Sequence, residues 1–117
     1  MDPSVVGDQI GRLTFTDEIA AGIAHLLTVD APSGVYNLTG SGDPVSWADI
    51  ARFVFSELGY DAARVTSVTT TDYFIGRTGA PRPLNSVLDL TKIRTTGFTP
   101  RPHLDKLRDY LLESGGR

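Results

Sequence analysis

Asp8-Gln9-Ile10-Gly11-Arg12-Leu13-Thr14 runs, through Phe15, straight into Thr16-Asp17-Glu18-Ile19-Ala20. A second stretch, Ala80-Pro81-Arg82-Pro83-Leu84-Asn85-Ser86-Val87-Leu88, answers it late in the chain. In the first stretch, the preceding Val5-Val6 reads as a short buried strand, and Gly7 and Gly11 bracket a tight loop. Thr16 is placed to cap a helix whose first turn carries Asp17 and Glu18, the charge sign favoured at a helix N-terminus. Ile19, Ala20, Ile23, Ala24, Leu26 and Leu27 then recur at helical spacing to about Thr28, giving an apolar stripe.

Outward from that helix the elements alternate. Asp30-Ala31-Pro32-Ser33-Gly34 is turn chemistry. Val35-Tyr36-Asn37-Leu38 alternates like a strand, ending at Thr39-Gly40-Ser41-Gly42. Ser46 followed by Asp49 is a capping box with Asp in place of Glu, opening a helix that carries Trp47, Ile50, Ala51, Phe53, Val54 and Leu58 up to Gly59 at C′. Residues 65–69 are β-branched and predict a strand. Residues 70–85 hold two glycines and two prolines without a clear period, which predicts a long loop with one helical turn. A short strand at 86–90, a short helix at 91–95 stopped by Gly97, and an amphipathic helix at 102–113 complete a small α/β domain with three longer helices. Residues 1–4 read as a cloning remnant or a truncation point, residues 5–113 as the domain, and residues 114–117 as a tail.

Composition bounds the function. A chain of 117 residues with a net charge of −3 is one domain at most, with no electrostatic reason to bind nucleic acid or an anionic membrane. No apolar run approaches the roughly 20 residues that span a bilayer. The absence of cysteine excludes disulfides, thiolate nucleophiles and Cys-based zinc sites, and fits a cytoplasmic location.

Catalytic chemistry is missing. A dinucleotide site needs a glycine-rich turn whose free N–H groups hold a pyrophosphate. Gly40-Ser41-Gly42 lacks the third glycine, and Pro44 removes a donor. A short-chain dehydrogenase needs a Tyr with a Lys one helical turn later, yet none of Tyr36, Tyr60, Tyr73 and Tyr110 has one. His25 and His103 lack metal or triad spacing and read as surface or half-buried structural residues. Asp105, Asp109 and Glu113 recur at i, i+4, i+8 and read as a solvated face rather than a metal site. Trp47 and Tyr36 read as core.

The ordered series of motifs resembles the C-terminal substrate domain of dTDP-4-dehydrorhamnose reductases, which are extended short-chain dehydrogenases. Asp8, Gln9, Gly11 and Thr14 match a D-Q-x-G-x-P-T loop in which Leu13 replaces the proline. Gly34, Tyr36, Leu38, Gly40, Gly42, Ser46 and Trp47 match a G-x-Y-x-L-x-G-x-G segment and its tryptophan helix. Ala80, Arg82, Pro83, Asn85, Ser86 and Leu88 match A-x-R-P-x-N-S-x-L, with Lys92 and Gly97-Phe98-Thr99-Pro100 after it.

The resemblance implies a domain that covers a dTDP-sugar, inactive alone. NADPH or NADH and the Tyr/Lys pair would sit in an N-terminal Rossmann domain of the same polypeptide. It implies substrate contacts from Arg82, Asn85, Ser86, Gln9, Thr14 and Asp8. Arg82 suits a diphosphate because its guanidinium donates in a bidentate fork, and Pro83 holds its backbone extended. Structural roles compete: Arg82 could cap a helix or pair with Asp72 or Asp89, and Asp8-Gln9 could close a turn. Two classes of function stand open: the substrate-binding part of such a reductase or of a related sugar-nucleotide epimerase or dehydratase, and a non-catalytic interaction or regulatory module of the same fold, whose exposed apolar surface would favour a homodimer.

Overall fold

The computed structural model describes residues 2–113. The tail at 114–117 and Met1 lie outside the described residues. The strands form two small two-stranded sheets. Strand β1 (Ser4–Val6) pairs in parallel with β4 (Thr66–Val68), in the register Ser4↔Thr66 to Val6↔Val68. Strand β2 (Ile10–Gly11) pairs antiparallel with β3 (Val45–Ser46), Ile10 facing Ser46 and Gly11 facing Val45. The other edge of β2 takes the late motif: Leu84 C=O accepts from Ile10 N–H at 2.8 Å, and Ser86 N–H donates to Ile10 C=O at 2.8 Å. The two sequence motifs are therefore backbone neighbours.

The helices keep close to their sequence signals. Helix α1 spans Thr16–Thr28, with Asp17 and Glu18 in its first turn. Its N-cap is Phe15 rather than Thr16, and no side chain caps it, because Thr16 already has helical geometry. The capping box of α2 (Trp47–Glu57) is complete: Asp49 N–H donates to Ser46 Oγ at 3.0 Å, and Ser46 N–H donates to Asp49 Oδ2 at 3.1 Å. At its other end Gly59 takes φ +85°, with Tyr60 N–H donating to Phe55 C=O and Gly59 N–H to Ser56 C=O, a Schellman closure. A single 3-10 turn (Ala62–Arg64) leads into β4, and the long loop begins with the one-turn helix α3 (Thr70–Tyr73). The one-turn helix α4 (Thr91–Arg94) and α5 (His103–Glu113) close the fold.

Three readings of the sequence are corrected. Residues 35–38 form no strand: Leu38 packs where a Cβ on Gly22 of α1 would clash, and Lys92 lies over the Tyr36 ring at 4.6 Å. The alternation is real, but no neighbouring strand offers a ladder. Residues 86–90 are likewise not a strand, since pairing stops at the Asn85 bridge to Ile10 and Asp89 turns the chain by accepting from Thr91 N–H and Oγ1. The apolar stripe of α1 points outward in part. Glu18 and Gly22 are its buried residues, while Ile19, Ile23 and Leu27 are exposed.

The core is small: Val6, Ala48, Val65, Leu90, Ile93 and Leu107, with Pro100 and His103 fully buried beside them. Among the described residues no helix is long and apolar enough to cross a membrane.

Candidate functional site

The 8–14 loop is a junction that ties α3, the loops at 40–42 and at Leu88, and α5 together. Asp8 accepts from Thr70 N–H at 2.9 Å and from Thr70 Oγ1 at 2.5 Å. The Thr70 hydroxyl, then its backbone N–H, hold the Asp8 carboxyl below the usual carboxylate range. Gln9 Nε2 donates to the same Thr70 Oγ1 at 3.2 Å. Arg12 braces two loops, Nε donating to Gly42 C=O at 2.7 Å and Nη1 to Leu88 C=O at 3.1 Å. Leu13 N–H donates to His103 Nδ1 at 3.0 Å, and Leu13 C=O accepts from Gly40 N–H at 2.9 Å.

That junction floors a cleft of about 310 Å3, lined by Gln9, Arg12, Trp47, Ile50, Arg82 and Ser86 among others. Its size is at the lower limit of small-molecule sites. A second hollow of about 370 Å3 adjoins it, with Val5, Tyr73 and Phe74 in its walls. Gln9, Trp47 and Arg82 line both, so they form the ridge between them.

Arg82 is an exposed guanidinium on this ridge, and among the described residues it makes neither an ion pair nor a hydrogen bond. It does not cap a helix or pair with Asp72 or Asp89, the latter being engaged by Thr91. The other cleft-lining arginine, Arg12, is spent on backbone carbonyls. Ser86 reaches the cleft, with its hydroxyl 3.3 Å from Ile10 C=O. Asn85 lines a separate hollow with Arg12, Val87 and Asp89, and its Oδ1 accepts from Val87 N–H at 2.9 Å. Thr14 is exposed and stands outside both cleft linings, while Asp8 is turned onto Thr70. The structure thus gathers Gln9, Arg82 and Ser86 on one cleft, and leaves Asn85, Thr14 and Asp8 outside its lining.

Two residues depart from their sequence reading. Trp47 is not core: it is 52% exposed on the ridge beside Arg82. Its place at the first turn of α2 leaves it free to face out, and nothing local in the sequence signals this, because only the fold brings Trp47 and Arg82 onto one ridge. His103 is neither surface nor half-buried but 1% exposed. Leu13 N–H can only donate and Asp43 C=O can only accept, so the ring carries its proton on Nε2, which donates to Asp43 at 2.7 Å. His25 is half-buried as expected, Nε2 lying 2.8 Å from Thr96 C=O.

Residues 40–42 do not fit a dinucleotide. Gly40 N–H and Ser41 N–H are already given to Leu13 C=O and Arg101 C=O, and Gly40 is packed against His103. On the α5 face Asp109 pairs with Arg101 at 2.8 Å and Asp105 with Arg108 at 3.7 Å. Among the described residues no group of three or more His, Cys, Asp or Glu gathers as for a metal ion.

The sequence pattern of one family, the RmlD substrate binding domain, matches residues 2–114. A spore coat polysaccharide biosynthesis protein, SpsK, from Bacillus subtilis is 38% identical over 109 residues, covering 93% of this chain and 36% of its own length. A dTDP-4-dehydrorhamnose reductase from Streptomyces griseus is 38% identical over 103 residues, covering 85% of this chain and 33% of its own. The crystal structure of a dTDP-4-dehydrorhamnose reductase ortholog from Clostridium acetobutylicum superposes with a TM-score of 0.81 at 29% identity, over 94% of this chain and 38% of that one. The chain spans about a third of the length of these curated relatives.

Proposed function

The chain belongs to the RmlD substrate binding domain family, and from that premise we propose that it is the sugar-nucleotide-binding part of a dTDP-4-dehydrorhamnose reductase. The whole protein would reduce dTDP-4-dehydro-L-rhamnose to dTDP-L-rhamnose. NADPH or NADH, held by an N-terminal Rossmann domain of the same polypeptide, would supply the hydride to the C4 ketone. The N–H groups of Gly40 and Ser41, already given to Leu13 C=O and Arg101 C=O, support a cofactor bound elsewhere than on this chain. The part played by this chain is to bind and orient the nucleotide end of the substrate.

Arg82 carries the reading: it is a cleft guanidinium with no partner among the described residues, and its fork matches two oxygens of a diphosphate. Gln9 and Ser86, on the same cleft, are placed for ribose or sugar hydroxyls. Asn85 and Thr14 stand outside that cleft as further polar residues of the two motifs, and Asp8 holds the loop through Thr70. The absence of cysteine supports a cytoplasmic setting. Self-association as a homodimer is a second reading, supported by the exposed apolar residues of α1.

Isothermal calorimetry with dTDP tests the proposal. The chain is expected to bind dTDP, Arg82→Ala to bind at least about tenfold more weakly, and Arg82→Lys to fall between, since lysine keeps the charge but not the fork. Absence of binding, or equal affinity of the wild type and Arg82→Ala, overturns it.

A further inference from the structure

Trp47 differs from the other aromatic side chains in its surroundings. Cations lie over the rings of Phe55, Tyr73, Tyr36, Phe15 and Phe53. Other rings meet one another, as Tyr73 meets Phe74 at 5.2 Å. Among the described residues the Trp47 indole has neither a ring nor a cation against its face, and its Nε1–H has no acceptor. Even so, its backbone is firmly placed. The complete capping box fixes the first turn of α2, and the β2–β3 ladder fixes the residue before it. A large apolar ring is therefore rooted at a fixed point of the backbone on a ridge, half in water, beside the unpartnered Arg82. An uncovered indole on a fixed stretch of backbone, next to a free guanidinium, is the pair needed by a ligand with a flat ring at one end and a diphosphate at the other.

We infer that Trp47 is the stacking platform for the base of a nucleoside diphosphate whose phosphates meet Arg82. This rests on the nucleotide-binding reading of the cleft and adds the residue that holds the base. The hollow walled by Tyr73 and Phe74 receives the ring, and the cleft walled by Ser86 receives the phosphates and the sugar attached to them. Stacking accepts any flat base, so Trp47 supplies affinity and orientation, while the choice of base falls to the polar rim.

Trp47 is the single tryptophan of the chain, so its emission reports directly on the proposed contact. The full 117-residue chain is titrated with dTDP and with inorganic pyrophosphate, monitoring tryptophan emission and its quenching by acrylamide, with calorimetry in parallel. The expected result is that dTDP alters the emission and shields it from acrylamide, whereas pyrophosphate does neither. Trp47→Ala binds dTDP about tenfold or more weakly, and Trp47→Phe, which keeps a ring, stays within about threefold of wild type. Arg82-dependent binding of dTDP by calorimetry with unchanged emission overturns the stacking and leaves the nucleotide reading standing. Emission that responds equally to pyrophosphate, or a Trp47→Phe loss as large as that of Trp47→Ala, also overturns it. No calorimetric binding of dTDP overturns both. The shielding measurement needs no variant, so a poorly folded Trp47→Ala does not decide the matter.

Discussion

Leu13 shows how one residue can depart from a family pattern and still be structurally required. The D-Q-x-G-x-P-T loop that it resembles has proline at this place, and proline has no N–H. Here the Leu13 N–H is the donor to Nδ1 of a histidine that is fully buried, and the other ring nitrogen is committed to Asp43 C=O. Replacing Leu13 with proline removes that donor and leaves a buried acceptor unsatisfied, a cost of about 1–3 kcal/mol. Leu13→Pro is therefore expected to lower the urea midpoint well below that of Leu13→Ala, which shortens the side chain but keeps the N–H. Equal midpoints for the two variants would show that the His103 contact carries no such weight. The sequence revealed the Leu13 substitution but not its partner, because His103 lies 90 residues away and only the folded chain brings them together. Arg82 could be singled out from the sequence for the opposite reason: its flanking prolines and the chemistry of a guanidinium are local facts.

Helices that carry their own caps were legible nearly to the residue, and segments that depend on a neighbour were not. The Ser46–Asp49 box and Gly59 bound α2 from inside its own sequence. The alternation at residues 35–38 implied a strand, yet strand formation needs a second strand that the sequence could not promise. The contact between α1 and α5 belongs to this second kind. Lys106 of α5, 9% exposed, lies 2.8 Å from Asp17 Oδ2 and 3.6 Å from Glu18 Oε2 of α1. Glu18 is itself buried and accepts from Arg101 N–H at 2.8 Å. Lys106, chiefly by hydrogen bonding, holds the exposed Asp17 carboxyl below the usual range. Lys106→Met leaves Glu18 as a buried carboxylate without its cation, which costs about 3–5 kcal/mol. Adding Glu18→Gln keeps an acceptor for Arg101 and removes the stranded charge, so the double variant is expected to regain much of the loss in a denaturant titration. A Lys106→Met loss under about 1 kcal/mol would mean that the pair is solvent-screened after all.

Taken as a whole the molecule is a slab, with principal extents of 48, 35 and 21 Å. Its radius of gyration, 16.6 Å, exceeds the ~13 Å typical of a compact domain of about 100 residues. A slab this thin gives each element one inner face, which is why only part of the α1 stripe is buried. The inward side of α1 carries Glu18 and Gly22, while Ile19, Ile23 and Leu27, at i, i+4 and i+8, are 38%, 53% and 78% exposed. Three aliphatic residues in line on one helix face form a contiguous apolar strip, which soluble chains usually cover. With only this chain in solution, the available cover is the same strip on a second copy, packed helix against helix. The apparent mass in sedimentation equilibrium is therefore expected to rise with protein concentration. Ile23→Glu combined with Leu27→Glu should return it towards that of a single chain. Both positions are on the exposed side and away from the Trp47–Arg82 ridge, so dTDP binding should survive the double substitution. A single-chain mass at every concentration would dispose of the homodimer while leaving the nucleotide cleft untouched, because the two surfaces share no residue.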